Sequence, residues 1–144
     1  MKRILISFER GGSFPATLLE EEAPHTCGRI WDILPITSVV THSRWSGREV
    51  NLNLKTADLP KEENQTIYTS RGEIVYWREW RNQENPKEVL ALYYGAEETR
   101  SSKGPEPVNI IGQIDFDRLE EFKAIGKRVW LEGAEKIRID KLEG

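Results

Sequence analysis

Between Thr41 and Ser46 the chain reads T-H-S-R-W-S, placing His42, Arg44 and Trp45 within four positions. Two residues apart on a strand, His42 and Arg44 would share a face. A fixed guanidinium beside an imidazole disfavours its protonation. A neutral histidine next to a permanent cation suits an anionic or carbonyl-bearing molecule. Arg44 would anchor the carboxylate or carbonyl. His42 would exchange one hydrogen bond or act as a weak base. These two are the candidate catalytic residues. Trp45 has the opposite parity and would either wall a pocket or pack into a core. The same six residues also read as the solvated end of a strand and an ordinary turn at Ser46-Gly47.

Further along, Asn51 and Asn53 alternate with Val50, Leu52 and Leu54. If the apolar set fills a barrel, the asparagines point outward and could direct hydrogen bonds to a ligand; solvated positions fit equally well. Tyr93 and Tyr94 belong to an aromatic-rich region with Tyr76, Trp77 and Trp80. Alternate members must be core. The others could line a pocket or a subunit interface, and Trp80, set among charges, suits an interface best. The candidate ligand-binding set is therefore His42, Arg44, Trp45, Asn51, Asn53, Tyr93 and Tyr94.

Other reactive residue types carry less. Cys27 falls on one apolar face with Ile30, Trp31 and Leu34, which makes it a small buried hydrophobe rather than a nucleophile. His25 reads as an exposed helix residue. One cysteine and two histidines leave no metal site to expect. The chain shows no glycine-rich phosphate loop, serine elbow or spaced carboxylate pair, so no cofactor is expected. Asp115, or Asp117 with Glu120, reads as the cap of a late helix.

The elements that would position these residues are mostly short strands. The 144 residues suit one domain, 1–144, large enough for a core without disulfides. A net charge of −3 argues against nucleic acid as a partner, because phosphate binding needs a basic surface. No stretch is long and apolar enough for a signal peptide or a membrane span, so a cytoplasmic protein is expected. The runs RILISF and SFPATLL flank Gly11-Gly12 as a hairpin, with Pro15 suggesting an edge or bulge. A helix follows, with Glu20 to Glu22 upstream, Pro24 in its first turn and Pro35 beyond its end. TSVVTHSRW, EVNLNL, EIVYW, EVLALYYG and VNIIGQI read as further strands, and Lys55 to Gly72 mostly as loop. A second helix stops at Gly126, and RVWL and KIRI close the chain as strands. The pattern predicts a mainly β, closed antiparallel barrel with two flanking α-helices.

This order of elements resembles the cyclophilin-like superfamily. The early helix in EEAPHTCGRIWDILP, the histidine- and arginine-bearing strand after it, and NIIGQIDFDRLEEFKAIG near the end carry the likeness. The motifs LLEEEAPHTC, Leu34-Pro35 and HSRWSG are similar to those of small microbial cyclophilin-like proteins of unknown function. The resemblance implies the barrel fold over nearly the whole chain. It implies prolyl isomerase chemistry less well. Ser43 separates His42 from Arg44, GREVNLNL stands in place of the cyclophilin glutamine segment, and Val108 replaces the late histidine. Tyr93 or Tyr94 would match the phenylalanine of the proline pocket.

The expected role is binding of a small molecule or short peptide in a groove on the outer barrel face. Two alternatives stay open. One is an enzyme, either a residual prolyl isomerase or a small-molecule isomerase or hydrolase. The other is a structural homodimer or higher homo-oligomer that buries its aromatic patches.

Overall fold

The computed structural model of the protein describes residues 1–43 and 46–142. Strands β1 (Arg3–Phe8) and β2 (Ser13–Leu18) form the first hairpin. It turns through Gly11 and Gly12, both at a positive φ that side chains rarely adopt. Helix α1 (Pro24–Asp32) leads to β3 (Ile36–Val40) and β4 (Glu49–Asn53). The stretch expected to be loop holds two short strands, β5 (Gln65–Thr66) and β6 (Tyr68–Thr69). The long hairpin of β7 (Glu73–Arg78) and β8 (Glu88–Tyr93) follows. Then come β9 (Glu97–Glu98), a small hairpin of β10 (Arg100–Ser101) and β11 (Gly104–Pro105), and β12 (Val108–Ile114). A 3₁₀ turn (Phe116–Arg118), α2 (Leu119–Glu132) and β13 (Glu135–Leu142) complete the described chain.

The main sheet runs β3-β13-β1-β2-β12-β7-β8-β4, with β5 added beside β12, and its pairs are antiparallel. Its two edges meet at one bridge. The Thr41 and Asn51 amides each donate to the other's carbonyl at 2.9 Å. The result is a nearly closed antiparallel barrel with two helices. Period-two alternation turns Ile4, Ile6, Phe14, Leu18, Val50, Leu52, Ile74, Leu90, Leu92 and Ile139 inward, each at most 2% exposed. Phe122 of α2 seals against Phe8 and Phe14, with ring centroids 6.4 and 5.5 Å away. On α1, Cys27 donates its thiol to the Ile111 carbonyl at 3.3 Å, and burial pushes its pKa up to about 12. No helix among the described residues is long and apolar enough to cross a membrane.

Several local expectations are corrected. Helix α2 continues through Gly126 and through the RVWL run to Glu132, and Gly133 at φ 93° ends it. Gly126 serves close approach instead, because a Cβ there would lie 2.2 Å from the Tyr94 ring. Asp115 caps nothing with its side chain; it forms a two-pronged pair with Arg3 at 2.6 and 2.9 Å. Glu120 accepts from Arg71 at 2.8 Å, so Asp117 and Glu120 form no capping box. Pro15 lies on a strand paired on both sides, at the place where the β12 ladder begins. His25 is half-buried, accepting from the Lys61 amide at 3.3 Å. Trp80 packs inward, edge-on to Tyr76, and donates to the Pro107 carbonyl at 3.0 Å.

Candidate functional site

The β4-β8-β7-β12 side of the barrel has a second apolar layer, on its outer face. Where β1 and β13 turn mixed polar residues outward, β7 and β8 turn out Val75, Trp77, Ala91 and Tyr93, joined by Val108 and Ile110 of β12. The 99–107 loop and its small hairpin, together with the β7–β8 turn, rise around this layer. They enclose a cleft of about 1080 Å³. Ligand pockets are typically roughly 300–1,000 Å³, so the cleft has room for a small molecule or a few peptide residues.

One end of the cleft is polar. Glu49 stands opposite Tyr93 in the β4–β8 register, and Asn51 follows two residues on, so all three face outward together. The Glu49 carboxyl is hydrogen-bonded by Ser46, Tyr93 and Asn51. Asn51 in turn donates to the Ser43 hydroxyl at 3.1 Å and accepts from the Thr41 hydroxyl at 3.2 Å. Glu49 is only 7% exposed. Burial raises its pKa above the usual carboxylate range, more than the three hydrogen bonds lower it, and the nearby Glu97 carboxylate adds to the rise. Tyr93 is pushed up as well, first by burial and then by Glu49.

Among the described residues the buried carboxylates divide into Glu135, clamped by arginines, and Glu88 and Glu49, held by neutral groups alone. Glu135 is clamped by Arg10 and Arg128 at 2.9 and 2.8 Å. Glu88 accepts from the Thr56 amide, the Thr56 hydroxyl and the Tyr76 hydroxyl. Among the described residues no basic group pairs with Glu49. Further along the same face, the Trp77 indole Nε1 is buried and meets no acceptor among the described residues. The cleft thus holds an acid without a counter-ion and a donor without an acceptor, on one apolar wall. Both are costly in a buried setting unless something supplies the missing partner.

The residues singled out from the sequence divide between two places. Asn51 and Tyr93 line the cleft. Asn53 is on the same outer face but exposed, beyond the cleft lining. Tyr94 turns to the other face. Its hydroxyl and His42 Nε2 share a 2.7 Å hydrogen bond, and His42 lies edge-on to Trp130 at 4.7 Å. His42 and Tyr94, with Arg48, Lys127, Trp130 and Leu131, line a separate pocket of about 450 Å³ beside α2. Strand β3 ends at Val40, so His42 is not on a strand. Arg44 and Trp45 lie outside the described residues. Among the described residues no group of three or more His, Cys, Asp or Glu side chains is placed to hold a metal.

Sequence reasoning missed Glu49 and the role of Trp77. The signal for Glu49 was present, since the parity that turns Asn51 and Asn53 outward extends back to it. It went unused because a glutamate at a strand's first position normally faces water. Nothing local shows that a loop fifty residues downstream covers it.

A model of the family described as "Protein of unknown function (DUF3830)" matches residues 6–141, and the chain belongs to that family. None of the curated proteins matches it in sequence. A solved structure described as "Structure of McbB in complex with tryptophan" is similar with a TM-score of 0.73 at 19% identity. That likeness covers 98% of this chain, which spans only 45% of the McbB chain. The solution structure of the hypothetical protein AF2241 from Archaeoglobus fulgidus is similar with a TM-score of 0.62 at 24% identity, covering 98% of this chain and 95% of that one. At these identities the likeness is one of fold.

Proposed function

We propose that this DUF3830 protein binds a small organic molecule or short peptide in the cleft on the outer barrel face. The observation that carries this reading is the pairing of a covered apolar wall with unmatched polar groups on it. A wall that served only stability would have no use for an indole N–H without an acceptor, and Glu49, unlike the buried Glu88, is turned toward the cleft. Val75, Ala91 and Trp77 would take the apolar body of the ligand, and Glu49, Asn51 and Tyr93 its polar end. McbB, similar in fold over the 45% of its chain that this one spans, has been solved in complex with tryptophan, an aromatic molecule that a cleft of this volume would admit. The motif order LLEEEAPHTC…HSRWSG further supports reading the barrel as cyclophilin-like, with its ligand groove on the outer face.

A thermal-shift screen of aromatic amino acids, aromatic carboxylates and short peptides tests the reading on wild type and Trp77→Ala. Ligands of the cleft should raise the melting temperature of the wild type. They should lose about tenfold or more in affinity with Trp77→Ala, which removes the largest apolar contact on the wall. If no compound stabilises the protein, or if stabilisation is the same in Trp77→Ala, the cleft is not the binding site.

A further inference from the structure

We infer that the ligand of the cleft carries a primary or secondary amine, received by Glu49, on an extended apolar body that reaches toward Trp77. This inference rests on the cleft being the binding site and names the chemical class that would occupy it. The argument begins with what Glu49 lacks. Three neighbours hydrogen-bond its carboxyl: Ser46 in the loop before β4, Asn51 on β4 itself and Tyr93 on β8. All three are neutral. Among the described residues, the charged group that bears on it is another acid, Glu97 of β9, whose own carboxylate is engaged by the Arg48 backbone N–H and guanidinium at 2.9 and 2.7 Å. The site is thus organised around a carboxyl group whose counter-charge the described chain does not provide. An ammonium group would provide it, and the charge-assisted hydrogen bonds it forms are the strong kind.

An anionic ligand fits this end poorly. It would meet the Glu97 carboxylate and oppose ionisation of Glu49 in a poorly solvated corner. A neutral ligand could be held by a protonated Glu49, but would gain nothing from the absence of a cation. The body of the ligand follows from the wall. From Tyr93 to Val89, which pairs with Trp77, the outer face of β8 runs four residues, or roughly 13 Å. The apolar surface between is supplied by Ala91 and Val75. Glu49 and Trp77 lie on either side of β8, and an extended chain covers about 3.3–3.6 Å per residue, so a short peptide with its amine at Glu49 lays its apolar side chains on the wall toward Trp77. A free amino terminus on a short peptide, or an amine of equal length, meets both requirements.

An ammonium group at Glu49 favours its ionised form, against the burial that raises its pKa. Tyr93 stays protonated throughout, and Glu97 stays ionised because Arg48 holds its pKa down against its own burial.

The experiment compares the tripeptide Ala-Ala-Phe amide with a free, acetylated or succinylated amino terminus, titrated calorimetrically into wild type, Glu49→Gln and Trp77→Ala. The free peptide should bind the wild type at least tenfold tighter than the acetylated one, and the succinylated one should bind weakest. Glu49→Gln keeps the shape of the site while removing its charge, and should abolish the preference for the free amine. If the acetylated peptide binds as well as the free one and Trp77→Ala weakens both, the amine assignment is overturned while the cleft remains the site. If the free amine's advantage survives in Glu49→Gln, its receptor lies elsewhere and the inference fails. If none of the peptides binds, the amine assignment fails, and the thermal-shift screen then decides separately on the cleft.

Discussion

At the scale of single residues, two glycines in helices show how neighbours decide the sign of one substitution. Gly28 in α1 has no atom within 4 Å of where a Cβ would stand. Gly126 in α2 has three atoms of the Tyr94 ring within 2.6 Å of that point. Alanine improves helix propensity over glycine by about 1 kcal/mol in either case. At Gly28 that gain should appear undiminished, and the urea midpoint of Gly28→Ala should rise by the equivalent of about 0.5–1 kcal/mol. At Gly126 the methyl must displace a tyrosine that is 8% exposed and tied to His42. Overpacking of this kind costs about 1–3 kcal/mol and more where nothing can yield, so Gly126→Ala should lower the midpoint despite its better propensity. Equal shifts in the two variants would mean that Tyr94 yields freely. The sequence offered Gly126 as a helix stop, a natural reading of glycine after an apolar stripe. The true reason is a contact with a residue 32 positions upstream, which no local pattern records.

Among the secondary elements, α1 is the most instructive. Its glutamates Glu20 to Glu22 look like the charge that suits a helix N-terminus, yet no acidic residue falls in its first turn. The free amides there are met by Glu63. Its carboxylate accepts from the His25 amide at 3.4 Å, from the Thr26 amide, and from the Thr26 hydroxyl at 2.6 Å. Buried Asn109 holds that loop, accepting from the Glu63 amide and donating to the Lys61 carbonyl and the Thr26 hydroxyl. A charged cap with one carboxylate oxygen on each of two amides should be worth about 1–2 kcal/mol, so Glu63→Ala should lower stability by that amount in urea unfolding. Glu62→Ala, next to it, should leave stability within about 0.5 kcal/mol. Identical effects of the two would dismiss the cap. What could be read from the sequence here was the helix and its buried stripe, because periodicity is local. What could not be read was the cap, which comes from a polar loop almost forty residues away. The same division runs through the barrel. Strands with period-two alternation were legible, whereas the α2 boundary, the inward-packed Trp80 and the cover over Glu49 depend on contacts between distant segments. That also explains the candidate site. Tyr93 and Tyr94 are adjacent in sequence, and strand parity sends them to different cavities.

For the whole molecule, acid and base stability draw on two opposed sets of carboxylates. Burial works against ionisation of Glu135, but hydrogen bonds from Arg128 and Arg10 outweigh it and hold its pKa below the ordinary value. Asp115 is held down likewise by Arg3. A carboxylate with a lowered native pKa contributes stability that is complete above its unfolded pKa, about 4, and is lost as pH falls through the native value. Glu49 has the opposite sign. Its native pKa is raised, so its protonated form favours the fold, and stability declines as pH rises from about 4.3 toward the native value. Glu135→Gln should therefore cost about 2 kcal/mol near pH 7, where the clamp is intact, and its deficit should shrink below pH 4. Glu49→Gln should stabilise the protein near pH 7, where it relieves a buried acid of the tendency to ionise, and should change little near pH 4, where the native carboxyl is already neutral. Urea midpoints of the three proteins between pH 3.5 and 8 measure both trends. A gain in stability at neutral pH from Glu49→Gln would mark the position as one where the fold is weaker than it could be, as is common where a group is kept for binding. A loss there at every pH would instead assign Glu49 to the hydrogen-bonded framework of the β4–β8 pair.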